Sequence, residues 1–441
     1  MKNAIQRGTA NRSAHDPRTA ALRVIDKTLT GNDPSQALLD KALKESNMVP
    51  SDKGLCTELV YGYLRARLRL EWDLARFLKK PDKLPPEMRL TLGLAAYELA
   101  YLRIPAHASV NWAVTRVRNR FGQGLAGVAN ASLRAFAKIA KAYTDESRYA
   151  VIENSAERLG VVHAVPEWIV SLWQNAYGDE TAREYLKASS GRAVSAVRVN
   201  AAREDAATVR ETLLTEGKGI AVSSFGAAFP EGVPYVAKTF ERKGRVSFQS
   251  AAVQEILEEL GMASWPGPVW DACAGRGGKT AALLERGVTV TAATDLSSGR
   301  IAGLGSELER LQLPLPLVLE ADAASPPQTS PFTDKFATIL ADVPCSGLGT
   351  LTRRPEIRFR RTQADVADLI ATQDAILDAA AAHLLPGGRI VYLTCTVNPA
   401  ENEERVKAFF TRHTAFALEK EWTTPPDSPW REFFYGAVLK G

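Results

Sequence analysis

Through residues 18–142 apolar side chains recur at spacings of three and four, as in Leu22, Ile25, Leu29 and again in Leu90, Leu94, Tyr97, Tyr101. That period predicts helices throughout the segment. Ser51 of SDKG (51–54) is placed to cap a helix start, and the Pro81 to Pro86 stretch separates the next two helices. From about residue 150 the pattern changes. VPEWIVSLWQNAYG is an amphipathic helix in which Trp168 and Trp173 read as core anchors, and AVSAVRVN (193–200) has strand character. From about residue 250, the β-type runs PVWDACA, TVTAATD, LPLVLEADA, FATILADVP and GRIVYLTC alternate with helical stretches, while SPPQTSPFTDK (325–335) is only a loop. Such alternation predicts a doubly wound, mostly parallel sheet with ligands at the carboxyl ends of its strands. The chain thus reads as three parts: an all-α domain over 1–145, a small α+β connector over 146–245, and an α/β domain over 246–441.

The 441 residues, 45% hydrophobic and 24% charged, have the profile of a soluble globular protein of two or three domains. No run approaches the roughly 20 apolar residues of a membrane span, and the polar start MKNAIQRGTANRSAHDPRT lacks the apolar core of a secretory signal. A cytoplasmic location without membrane contact is expected. Cys56, Cys273, Cys345 and Cys395 are too scattered for a disulfide framework, and with five histidines they form no zinc-ligand spacing, so no metal is expected. The net charge of +5 is uneven: residues 1–150 carry 25 Lys and Arg against 14 Asp and Glu, a balance of +11, which leaves −6 for the rest. A basic module suits a polyanion partner, and the triplets Arg65, Arg67, Arg69 and Arg116, Arg118, Arg120 add local density. Solvated helix faces are the alternative use of the same arginines.

In VWDACAGRGGKTAALLERG a short strand runs through Gly275, Gly277 and Gly278 into a helix, a layout that lets backbone approach a ligand closely. A phosphate loop ending in Gly278-Lys279-Thr280 needs glycine at 273, where Cys273 stands. A dinucleotide fingerprint started at Gly275 needs glycine at 280, where Thr280 stands. An S-adenosylmethionine site remains, because the next strand, TVTAATD, ends in Asp295, 24 positions after Asp271 and suited to both ribose hydroxyls. An ordinary strand-to-helix turn gives the same pattern.

ILADVPCSGLGT (339–350) and IVYLTCTVNPAENEERV (390–406) are each a strand ending in a cysteine-bearing turn. If these strands are neighbours, Cys345 and Cys395 share one cleft at the cofactor end of the sheet. Either cysteine alone reads as a small buried hydrophobe; the pair points to chemistry. DACAGRGGKT, ADVPCSGLGTLTRRPEIRF and YLTCTVNPAENEERV together resemble the RNA 5-methylcytosine methyltransferases of the RsmB-like (NOL/NOP/Sun) family, and EFFYGAVLK resembles that family's last strand. Upstream, SDKGLCTELVYGYLR with LPPEMRLTLGLAAYELAYLRIPAHASVNWAV resembles the NusB-like RNA-binding helical domain over roughly residues 16–142.

The resemblance implies a NusB-like domain, a connector and a Rossmann-like class I methyltransferase domain. It implies an S-adenosylmethionine-dependent enzyme that methylates carbon 5 of a cytosine in 16S ribosomal RNA as a monomer, with Cys395 as covalent nucleophile, Cys345 assisting release of the adduct, and Asp342 hydrogen-bonding the cytosine edge. For the cofactor it implies Ala274, Gly275, Arg276, Gly277, Gly278, Lys279, Asp295, Arg300, Asp322 and Asp342. RNA contacts are implied for Arg353, Arg354 and Arg358 of RRPEIRFRR, where Arg360 and Arg361 add charge, and for Arg198 and Asn200 of VRVN. Gly275-Arg276 stands where the family has Ala-Pro, and Ser250 follows Gln249 where the family has Asp. A transfer-RNA target is the alternative within the enzyme class, and a non-catalytic ribosome-assembly or antitermination factor the alternative outside it. The target cytosine must leave any stack before a thiolate can reach carbon 6.

Overall fold

The computed structural model describes residues 16–140, 143 and 145–441; the polar start read above for a targeting signal lies largely outside them. Two compact units result: residues up to Ser190 with Leu351–Arg360, and Gly191–Thr350 with Arg361–Gly441.

The first unit is helical, with α1 (Pro17–Thr30), α2 (Ser35–Glu45), α3 (Pro50–Ala75), α4 (Pro86–Tyr101), α5 (Ala106–Phe121), α6 (Gln123–Ile139), α7 (Ser155–His163) and α8 (Glu167–Ser190), the last broken at Gly178. Of the apolar positions that predicted the helices, Leu22, Ile25, Leu90, Leu94 and Tyr97 are buried, Leu29 is half-buried and Tyr101 is exposed at the end of α4; Leu59, Tyr63, Leu133 and Phe136 extend the same core. Helix α3 starts one residue before the expected cap. Pro50 is its first residue and Ser51 lies inside the first turn, because a proline at that position loses no hydrogen bond the helix needs. The break over Pro81 to Pro86 is present, between α3 and α4. Trp173 is buried and Trp168 half-buried. The triplet arginines are largely occupied within the unit. Arg67 pairs with Glu71, Arg69 donates to Tyr149 Oη, and Arg116 and Arg120 share Glu87.

Helices α7 and α8 pack with this first unit, so the expected connector is divided near residue 190. Its remainder supplies β1 (Ser195–Val199), α9 (Ala206–Thr215), β2 (Ile220–Val222), β3 (Gly226–Phe229), α10 (Tyr235–Arg242) and β4 (Val246–Phe248). The strands form an antiparallel sheet in the order β2-β3-β1-β4, with Val197 opposite Ala227 and Phe248.

Next come α11 (Ala251–Glu259), β5 (Val269–Asp271), α12 (Gly278–Leu284), β6 (Val290–Asp295), α13 (Ser298–Leu311), β7 (Leu317–Glu320), β8 (Phe336–Asp342), α14 (Ile357–Arg360), α15 (Gln363–Ala382), β9 (Leu384–Thr394), α16 (Glu403–Arg412), β10 (Ala417–Thr423) and β11 (Tyr435–Lys440). Helix α14 belongs to the first unit. The sheet order is β10-β11-β9-β8-β5-β6-β7, parallel from β9 to β7, with β11 antiparallel to β9 and β10. Strand order reverses at β5, and a crevice at the carboxyl ends of strands belongs at such a point. Apolar side chains cover both faces, Leu340, Val391 and Leu393 on one, Ile339, Ile390 and Tyr392 on the other. β10 was not legible in the sequence: ALEKEWT is exposed at the edge of the sheet, where charge blocks further pairing.

Candidate active site

Strand β5 ends at Asp271, and the chain turns through Gly275 and Gly277, both at positive φ, into α12. A Cβ on Gly277 would stand 2.7 Å from Leu304 Cγ of α13, so only glycine lets the loop lie this close. The loop is tied to the end of β6, since Asp295 accepts from Gly275 N at 3.0 Å and from Ser297 N at 2.9 Å. Arg300, largely exposed, stands 3.6 Å from the same carboxylate. Arg276 is exposed at its tip, and its stem lies over Gly303 of α13. Beneath the loop Asp271 is buried, accepts from Thr280 Oγ1 at 2.6 Å, and keeps Oδ1 without a partner. Burial pushes its pKa up to about 7. Lys279 reaches Asp342 at 2.5 Å. Burial opposes its charge, but Asp342 outweighs that and holds the ammonium above its ordinary range, with Asp271 and Cys395 adding to the effect. Asp322, two residues beyond β7, is exposed and accepts from Ala324 N at 2.9 Å.

In the parallel pair β8 and β9, Asp342 lies opposite Leu393. Cys345 and Cys395 therefore leave the sheet at the same end, and their sulfurs are 3.2 Å apart. Cys395 N donates to Cys345 Sγ at 3.3 Å. The Cys345 thiol is held well above its ordinary pKa by its hydrogen bond with Cys395, then by burial and by the charges of Cys395 and Glu401. Cys345 thus keeps its proton near neutrality, while Cys395 is the half-buried member of the pair. The turns are joined behind the sulfurs, where Ser346 Oγ and Thr396 Oγ1 lie 2.7 Å apart and Glu401 accepts from Ser346 N at 2.7 Å and Ser346 Oγ at 2.5 Å. Glu401 was not singled out in the sequence. It lies among four other acidic or amide residues in NPAENEE, and only the fold shows that Glu401 turns inward with Asn398 and Asn402 while Glu403 and Glu404 do not reach the cysteine turns.

Three residues expected at RNA are buried instead. Arg198 pairs with both oxygens of Glu285, at 2.6 and 2.9 Å, and donates to Gly278 O at 2.9 Å, where it braces the start of α12. Asn200 donates to Gly244 O and Leu311 O at 3.1 and 2.9 Å. Arg358 lies inside the helical unit and donates to Arg65 O at 2.7 Å and Ser189 O at 2.6 Å. Its neighbours anchor the same segment: Glu356 accepts from Ser35 N and Oγ at the start of α2, and Arg360 donates to Thr28 O beside the end of α1. Arg353 is half-buried and Arg354 exposed, so these two keep the expected access.

Residues 266–429 match the 16S rRNA methyltransferase RsmB/F family, 15–138 the NusB family, and 165–233 the ferredoxin-like domain of RsmF/B-like methyltransferases. A Synechocystis protein described as a probable ribosomal RNA small subunit methyltransferase B is 30% identical over 404 residues, covering 88% of this chain and 87% of its own. The ribosomal RNA small subunit methyltransferase B of Vibrio vulnificus is 32% identical over 442 residues, 96% of this chain and 99% of its own. The chain belongs to the ribosomal RNA small subunit methyltransferase B family. In fold, this family member is similar to the crystal structure of PH0851, with a TM-score of 0.75 at 20% identity, covering 96% of this chain and 99% of that one.

Membership makes the chain an S-adenosylmethionine-dependent RNA methyltransferase acting in ribosomal RNA methylation, which sets aside the non-catalytic alternative. The residues fit that cofactor. The loop is open at Gly275, where a Cβ would meet nothing within 4 Å, and it is flanked by the carboxylate of Asp295 and the cation of Lys279, suited to a ribose and a methionine carboxylate. Among the described residues no helix is long and apolar enough to cross a membrane, and no group of His, Cys, Asp and Glu is placed to hold a metal.

Proposed function

We propose that the chain methylates carbon 5 of a cytosine in small-subunit ribosomal RNA through a covalent adduct at carbon 6. The contact of Cys345 with Cys395, 3.2 Å between sulfurs beside the Lys279–Asp342 pair, carries this reading. Carbon 5 of cytosine is a poor nucleophile. Addition of the Cys395 thiolate to carbon 6 forms an S–C bond and shifts the double-bond pair toward carbon 5, with Asp342 at the ring edge stabilising the change. S-adenosylmethionine, when bound, would supply the methyl group as a sulfonium electrophile whose S–C pair stays on the departing neutral thioether; the Ala274–Gly278 backbone, Lys279 and Asp295 would hold it, with Arg276, Arg300 and Asp322 at its border. Carbon 5 then carries both methyl and proton. The proton leaves to water, its bonding pair restores the C5–C6 double bond, and the C6–S pair departs on Cys395. The Cys345 thiol, in contact with that sulfur, gives it a proton. Arg353 and Arg354, which follow the Cys345 turn in sequence, contact the RNA backbone.

Bisulfite mapping of ribosomal and transfer RNA from strains with and without the gene tests the target. Loss of protection at a cytosine of small-subunit ribosomal RNA is the expected result. Loss confined to transfer RNA would move the substrate to the alternative class.

A further inference from the structure

Glu401 is fully buried beside the two cysteine turns. Its carboxylate accepts from Ser346 N and Oγ, from Asn398 Nδ2 at 2.8 Å and from Gln373 Nε2 at 3.1 Å. Four donors fill the lone-pair positions of one carboxylate, so the cluster is built for the ionised form. Ser346 gives its one hydroxyl proton to Glu401, which makes Thr396 Oγ1 the donor to Ser346. The residues immediately after the two cysteines are thereby joined through a single buried anion. Tyr392 Oη closes the far side by donating to Glu401 O at 2.6 Å, and Gln373 also donates to Pro344 O, just before Cys345, at 3.1 Å.

We propose that Glu401 is a positioning residue for product release: its buried carboxylate locks the Cys345 turn onto the Cys395 turn and sets a negative charge behind Cys345. This rests on the two-thiol reading above and assigns the group that keeps the thiols in their separate roles. The charged and titratable groups around Cys345 are Cys395 and Tyr392 from β9 and its turn and Glu401 beyond it, while Lys279 of α12 faces Cys395. Of these, Glu401 disfavours ionisation of Cys345 from the buried side, so that the thiol and not the thiolate faces the adduct, and the lock between the turns holds its proton in reach of the departing sulfur.

The test compares single-turnover methyl transfer with adduct release, using full-length protein, S-adenosylmethionine and a ribosomal RNA fragment that the unaltered enzyme methylates. In Glu401→Gln, whose amide meets donors on every side, transfer is expected within about threefold of the unaltered enzyme and release about tenfold slower or more, with accumulated adduct. The pH above which release fails is expected to fall, because without the negative charge Cys345 loses its proton sooner. Asn398→Asp with Glu401→Gln returns a carboxylate to the cluster and is expected to restore release to within about threefold. Ser346→Ala, which keeps the backbone bond and removes the hydroxyl link, serves if Glu401→Gln does not fold, with release expected about threefold slower or more. Release at the original rate in the folded variant, or equal loss of transfer and release with an unmoved pH profile, overturns the proposal. Cys345→Ala runs beside them: normal release there removes the two-thiol reading itself, whereas trapped adduct there without a Glu401→Gln effect removes only the role of Glu401.

Discussion

Lys279 Nζ and Asp342 Oδ2 lie 2.5 Å apart, so one ion pair ties the cofactor loop to the strand that leads to Cys345. The two partners have different expected ligands, and their variants should separate. Lys279→Met is expected to weaken S-adenosylmethionine binding about tenfold or more by removing the cation for its carboxylate. Asp342→Asn is expected to lower single-turnover methyl transfer about 100-fold with cofactor affinity changed less than about threefold. Calorimetric binding and rapid-quench assays measure both. Loss of cofactor affinity alone in Asp342→Asn would reduce Asp342 to a counter-ion for Lys279.

Asp271 makes stability depend on pH. Burial raises its pKa from 3.8 to about 7, so between those values the folded chain holds a proton that the unfolded chain has lost. Its contribution is fully present below about pH 4 and is lost as pH rises through about 7. From pH 5 to pH 8 the Tm of the unaltered protein is expected to fall a few degrees more than that of Asp271→Asn, measured by scanning calorimetry. Parallel profiles would contradict a buried, proton-holding Asp271.

Arg358 and Arg354 sit four positions apart in one basic run, yet one is buried and the other exposed. Arg358→Ala is expected to destabilise the protein by roughly 2–4 kcal/mol, through a cavity and the freed carbonyls of Arg65 and Ser189, without changing the salt dependence of RNA binding. Arg354→Ala is expected to lower Tm less than Arg358→Ala does and to reduce the slope of log affinity against log salt by about one. Anisotropy titrations across salt concentrations separate the two. A reduced slope for folded Arg358→Ala would place that guanidinium at phosphate.

The elements that build the site were legible because their patterns are local. Period-two and short aliphatic runs marked β5 to β9, and the glycine loop, Asp295 and both cysteine turns followed from where those runs stop. β10 escaped because an exposed, charged edge strand has no buried face to write into its sequence. The buried arginines misled for a related reason. Arg198 and Arg358 are held by groups 87 and 293 positions away, Glu285 and Arg65, and sequence spacing carries no mark of such partners. Glu401 was hidden by its acidic neighbours in the same way.

The division of labour between the sulfurs is tested most directly by denaturing electrophoresis of the enzyme after incubation with S-adenosylmethionine and RNA. Cys395→Ala is expected to form no covalent species and transfer no methyl group. Cys345→Ala is expected to methylate and remain bound, giving a protein–RNA adduct that survives denaturation and disappears when Cys395 is also replaced. Adduct from Cys395→Ala and none from Cys345→Ala would reverse the roles, and activity in both variants without adduct would contradict the covalent mechanism.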